Sequence, residues 1–259
     1  MSEGSGTLGP TVRLRRQWLL AAVCAAVGVV LGWDALREFD MAIARQWVLP
    51  TTAVLGFELW FLTRHLDRNR TAEGRLCETL GPANAVTLVR GGLYAAVAGF
   101  VFVPPTPAVA WLPGVCYGVG AALDWIDGRI ATTIGRVTRL GATLDHAFDT
   151  LGFLVAPLVG VVWGRLPVWY LALSFARYVF KAARAGRRHR GRPVYDLPES
   201  RARRPLAAGQ MAFITLALLP VLPAPTVHVA ATLALVPSLA VFARDYLVVS
   251  GRLRTDGSP

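Results

Sequence analysis

Eight runs of apolar residues, separated by short polar breaks, organise the chain. They cover roughly residues 17–33, 47–63, 84–103, 107–124, 145–164, 168–184, 207–222 and 226–250. Each is about long enough to cross a hydrocarbon core of ~30 Å as a helix. No strand-like alternation is visible, and a lone strand in lipid would leave its backbone groups unsatisfied. The pattern therefore predicts an all-α protein, a polytopic membrane helical bundle of about eight transmembrane helices. The first run follows Arg13, Arg15 and Arg16, as a signal peptide would. No small-x-small cleavage site ends it before Asp34, so it reads as an uncleaved span.

The polar breaks set the orientation. Basic residues gather at the start, in 64–75, in 129–139, in 181–204 and at the end of the chain. With alternating spans, twenty-one basic residues fall on one side, and only Arg37, Arg45 and Arg165 on the other. The positive-inside rule then predicts both termini in the cytoplasm of a cell-membrane protein. The segment 64–80 is the most polar break in the first half. It predicts a two-span addition over 1–80 and a six-span core over 81–259.

Composition agrees. Hydrophobic residues make up 54% and charged residues 17%, whereas a soluble domain carries about a quarter charged. This excludes intrinsic disorder, a disulfide-rich mini-protein and an ordinary soluble enzyme. The net charge of +11 would suggest nucleic acid in a soluble protein. Here topogenic arginines account for it, and no nucleic-acid partner is expected. Residues 184–204 are basic enough to meet anionic headgroups or simply to serve as a solvated loop. Cys24, Cys77 and Cys116 form no CxxC or metal-like spacing.

One stretch departs from lipid-facing filler. Asp124, Asp127, Asp145 and Asp149 stand at the facing ends of two apolar runs. A charged aspartate in a span costs on the order of 3 kcal/mol, so a compensating cation or a water-filled cavity is expected. At about 100° per residue, Asp124, Asp127, Gly128 and Ala131 share one helix face, and Thr138, Gly141, Asp145 and Asp149 share another. Two helices thus present carboxylates to one point. Hard oxygen ligands suit Mg²⁺ or Mn²⁺. The small residues beside them let a bulky ligand such as a nucleotide approach the backbone.

These residues carry a resemblance. The pattern D-x2-D-G-x2-A-R-x8-G-x3-D-x3-D is the signature of the CDP-alcohol phosphatidyltransferase family. It is matched at Asp124, Asp127, Gly128, Ala131, Gly141, Asp145 and Asp149, with the spacing intact. Thr132 stands where the family has arginine; Arg129, Arg136 or Arg139 are the nearby substitutes. The resemblance implies transfer of a phosphatidyl-type group from a CDP-linked lipid donor, with diacylglycerol or archaeol chains, to a small polar alcohol acceptor, releasing CMP. It implies Asp124, Asp127, Asp145 and Asp149 as ligands of two divalent ions and Asp149 as general base. It also places Gly128, Ala131, Thr132, Thr138 and Gly141 on the donor. Asn84 and Thr87 echo an Asn-x-x-Thr that often opens the family's first core span, although Asn84 also suits a helix cap. Arg90, Arg177 and Arg184 are candidates for a phosphorylated acceptor, with glycerol 3-phosphate expected first. Structural pairing or snorkelling is the competing reading of Arg90 and Arg177. Inositol phosphate, serine or a phospholipid stay open as acceptors, and a homodimer is expected. Two readings of another class stand beside this one, an aspartate-lined cation transporter and a non-catalytic membrane relative.

Overall fold

The computed structural model describes residues 10–71, 73–134, 138–195 and 203–253, with the side chains of residues 10, 11, 125 and 127–134 outside the description. Eight long helices and no strand occur among the described residues: α1 Pro10–Arg37, α2 Met41–His65, α3 Gly81–Gly99, α4 Leu112–Ile134, α5 Arg139–Val162, α6 Leu171–His189, α7 Arg203–Leu218 and α8 Ala224–Val249. The protein is a polytopic helical membrane protein. Broad apolar surfaces, including Leu19, Val23, Val27, Val30 and Leu31 on α1 and Val229, Leu233 and Val236 on α8, face outward, as lipid contact requires.

The eight expected runs each find a helix, but their limits differ in instructive ways. Four segments, Val12–Arg37, Gly81–Phe102, Arg139–Val162 and Ala224–Val249, are long and apolar enough to cross a membrane by length and composition alone. The expected spans over 47–63, 107–124, 168–184 and 207–222 are not among the described segments that meet that standard. α6 ends in a basic half holding Lys181, Arg184, Arg187 and Arg188. The 16 residues of α7 rise only about 24 Å. α4 starts five residues later than its apolar run, because Pro104, Pro105 and Pro107 hold the chain out of helix. It then continues ten residues past Asp124. α5 starts six residues before Asp145. Hydropathy ends at the charges, whereas backbone hydrogen bonding carries the helices through them.

Local chemistry explains the starts. Asp40 caps α2, its carboxylate accepting from the Ala42 amide at 2.7 Å. Gly81 takes φ +78°, and Pro82 in the first turn of α3 needs no amide partner. Thr138 caps α5, its hydroxyl accepting from the Gly141 amide at 3.0 Å. Arg165 donates to the Ala217 and Leu219 carbonyls at 3.0 and 2.6 Å, satisfying the end of α7.

α3 is the hub and packs along α2, α4 and α5. A fully buried stripe of Leu140, Leu144 and Phe148 seats α5 on Leu62 of α2 and Leu80. This stripe lies about 100° from Gly141, Asp145 and Asp149, so burying one face aims the other at the interior. On the α1–α2–α3 side, the Trp47 indole donates to the Ala96 carbonyl at 2.9 Å, and Gly32 leaves room for its ring. Trp47→Ala should therefore cost about 3–5 kcal/mol. The check is the thermal midpoint of the detergent-solubilised protein, and an unchanged midpoint would show that α1 and α2 do not depend on this anchor.

Candidate active site

Three helices build the centre. Arg90 of α3 is completely buried, and its guanidinium contacts the carboxylates of Asp124 on α4 and Asp145 on α5. Its Nη2 also lies 3.3 Å from Asp149 Oδ1. One oxygen from each aspartate lies within 4.8 Å of the others. The register inferred from the sequence is thus realised for Asp124, Asp145 and Asp149. Among the described residues, one guanidinium thus meets three carboxylates. Asp149 Oδ1 is buried and, although within ion-pair distance of Arg90, makes no hydrogen bond.

A cavity of about 1020 Å³ opens beside this cluster between α3, α4, α5, α6, α7 and α8. Asn84, Thr87, Thr138 and Gly141 line it together with the three aspartates. Asn84 is not a helix cap, because α3 begins at Gly81. Its amide donates to the Leu80 carbonyl at 2.6 Å and reaches Thr138 Oγ1 at 3.4 Å. A Cβ on Gly141 would stand 2.6 Å from Asn84 Oδ1. The glycine is what lets α5 approach α3 here.

Basic side chains also line this cavity. Arg177 of α6 lines the cavity and donates to Thr150 Oγ1 at 2.7 Å, with its Nη2 3.2 Å from the His146 ring. Arg90 and Arg184 are not among the lining residues. Arg90 is turned to the aspartates, and Arg184 lies over the Phe180 ring at 6.0 Å. The wall instead gains Arg203 and Arg204 at the start of α7. Arg203 makes a two-pronged pair with the buried Asp245 of α8, at 2.8 and 3.0 Å. Sequence reasoning passed over this pair, although an acid inside the last apolar run was a usable signal.

Comparison with known proteins decides the family. The family model for CDP-alcohol phosphatidyltransferases matches residues 81–243. The chain belongs to the CDP-alcohol phosphatidyltransferase family. It is 32% identical over 154 residues to a bifunctional IPC transferase and DIPP synthase of Thermococcus kodakarensis, covering 56% of this chain and 33% of that protein. It is 36% identical over 92 residues to the phosphatidylinositol phosphate synthase of Corynebacterium glutamicum, covering 36% and 37%. A cardiolipin synthase (CMP-forming) of Streptomyces coelicolor is 35% identical over 69 residues, covering 26% and 32%. The chain thus spans about a third of the length of these relatives. No solved structure matches it.

The donor set fits the divalent metal of the family. Two oxygens on one Mg²⁺ lie at most about 4.2 Å apart, twice the metal–oxygen bond, so small side-chain rotations bring the three carboxylates to that geometry. Asp127, Gly128, Ala131 and Thr132 belong to α4, and their side chains lie outside the described residues. The side chain of Arg129 and the whole of Arg136 also lie outside the described residues, while Arg139 is the exposed first residue of α5.

Because Arg90 offsets the carboxylates, Arg90→Met should lower the thermal midpoint in EDTA by about 4–8 °C, the shift that roughly 2 kcal/mol produces in a chain of this size. Millimolar Mg²⁺ should restore most of it, since a divalent ion supplies the missing charge. Equal losses with and without Mg²⁺ would show that Arg90 does not serve as counter-charge.

Proposed function

We propose that this protein is a membrane phosphotransferase that moves a phosphatidyl-type group from a CDP-linked lipid to a small phosphorylated polyol and releases CMP. The observation that carries the reading is the three-carboxylate cluster on α4 and α5 at the wall of a cavity that is also lined by Arg177 and Arg203. Family membership over residues 81–243 supports it. In this reading Asp124, Asp127, Asp145 and Asp149 hold two Mg²⁺ or Mn²⁺ ions. When bound, such ions would neutralise the diphosphate and the departing CMP phosphate.

The residues of the chain do the rest. Asn84, Thr87, Thr138 and Gly141 line the cavity, and their backbone, amide and hydroxyl groups suit the cytidine and diphosphate of the donor. By the family signature, Gly128, Ala131 and Thr132 are assigned to the donor as well. Arg177 and Arg203 attract the acceptor phosphate and aim its free hydroxyl at the lipid-linked phosphorus. Asp149 takes the hydroxyl proton as the new P–O bond forms and the bond to the CMP oxygen breaks. Its partly buried position on the inner face of α5 suits a base that meets the acceptor but little bulk water. Glycerol 3-phosphate and inositol phosphate both meet the chemistry of the wall. The name of the corynebacterial relative favours testing inositol phosphate alongside glycerol 3-phosphate. The excess of basic residues in the polar breaks on one side of the spans supports a cytoplasmic active site and cytoplasmic termini. The polar segment 64–80 supports reading 1–80 as an addition to a core over 81–259.

The test is CMP release from CDP-diacylglycerol and CDP-archaeol by the purified chain, with product identification for each acceptor. Release that depends on acceptor and on Mg²⁺ or Mn²⁺ is expected; none with any pair would favour the non-catalytic relative. Asp149→Asn keeps the shape and removes the base, so turnover should fall by about 10²–10⁴ while donor binding survives better. Near-normal single-turnover rates in Asp149→Asn would take the base role away from Asp149.

A further inference from the structure

Tyr94 lies one turn beyond Arg90 on α3 and is fully buried. Its ring fills a slot between the two helices that carry the aspartates. A Cβ on Gly120 of α4 would stand 2.7 Å from the Cε1 edge, and a Cβ on Gly152 of α5 would stand 2.7 Å from the Cε2 edge. Gly120 precedes Asp124 by one turn, and Gly152 follows Asp149 by just under one. The ring therefore touches both backbones a single turn deeper than the carboxylates. α4 and α5 pack little on each other directly, while each packs extensively on α3. Their separation at this level is thus set by what α3 places between them. Tyr117 of α4 holds the ring from one side, with centroids 5.4 Å apart.

We infer that the ring of Tyr94 is the spacer that fixes the distance between the carboxylate-bearing helices, which makes Tyr94 a positioning residue for the divalent-ion site. This rests on the metal-dependent reading of the aspartates given above. The Tyr94 hydroxyl is buried and makes no hydrogen bond, so the contribution is the shape of the ring. A flat ring edge against two glycines tolerates no added methyl, and an aliphatic side chain leaves the helices free to close or tilt. Either change moves Asp124 relative to Asp145 and Asp149. Oxygen ligands at fixed short distances make divalent-ion affinity sensitive to such movement.

The experiment measures Mn²⁺ affinity of the full chain in detergent, by electron paramagnetic resonance of free Mn²⁺. Cooperative unfolding in EDTA verifies that each variant is folded. Tyr94→Phe should bind within about twofold of the unaltered protein, since the lost hydroxyl has no partner. Tyr94→Leu and Gly152→Ala should each weaken binding by about 10–100-fold, the usual loss when support of ligand residues is removed. The double variant should lose less than the product of the single losses, because the smaller side chain accommodates the new methyl. Either single variant carries the test if the other does not assemble. Folded Tyr94→Leu and Gly152→Ala proteins with undiminished affinity would overturn the spacer, as would a loss in Tyr94→Phe equal to that in Tyr94→Leu. Mn²⁺ binding that follows the expected order, without transfer to any acceptor, would refute the phosphotransferase reading and leave the spacer standing.

Discussion

Burial of charge inside a membrane bundle governs this structure. Asp124, Asp145 and Asp149 converge from two helices, and the wholly buried guanidinium of Arg90 meets all three. Arginine suits the position, because its planar fork reaches several carboxylates at once and it keeps its charge in an apolar setting. The pairing makes it possible to fold the acidic centre before any ion arrives. Among the described residues it also leaves more carboxylates than guanidinium groups in the cluster. The arrangement is thus stable enough to assemble and still disposed to take up metal.

The remaining architecture serves that centre. The Leu140–Leu144–Phe148 stripe fixes the rotation of α5, and the Thr138 cap fixes where it begins. Gly141 lets α5 approach Asn84, and Gly120 and Gly152 admit the ring of Tyr94. Small residues on the inner faces and long apolar ones on the outer faces follow one logic. Inside, helices must come close enough to place carboxylates. Outside, lipid accepts any apolar shape. Arg177 and Arg203 line the same cavity as the three aspartates, so one chamber holds both acidic and basic groups.

Much of this was legible in the chain. The intervals between Asp124 and Asp127 and between Gly141, Asp145 and Asp149 allow only one helix face each, so the convergence of Asp124, Asp145 and Asp149 followed from helical geometry. The family followed from the same residues. The helix limits did not, because hydropathy marks contact with lipid whereas α4 and α5 run on through polar surroundings. The position of Arg90 was also hidden. A lone arginine in an apolar run reads equally as a substrate contact, a structural partner or a snorkelling residue, and only tertiary packing places it at the aspartates. Tyr94 left no signal at all, since an aromatic residue in an apolar helix is expected anywhere. Asp245 did leave one, an acid far from the signature, and its pairing with Arg203 depends on two helices that the sequence does not bring together.

The central claim is that Arg90 and a divalent ion share the charge balance of the same carboxylates. Crystals grown with Mn²⁺ and CDP, with diffraction recorded at the manganese edge, test it most directly. The account predicts an anomalous peak about 2.2 Å from oxygens of Asp124, Asp145 and Asp149, with the Arg90 guanidinium drawn back from at least one of them. A map without manganese at the three aspartates, and with Arg90 still seated on all of them, would contradict it.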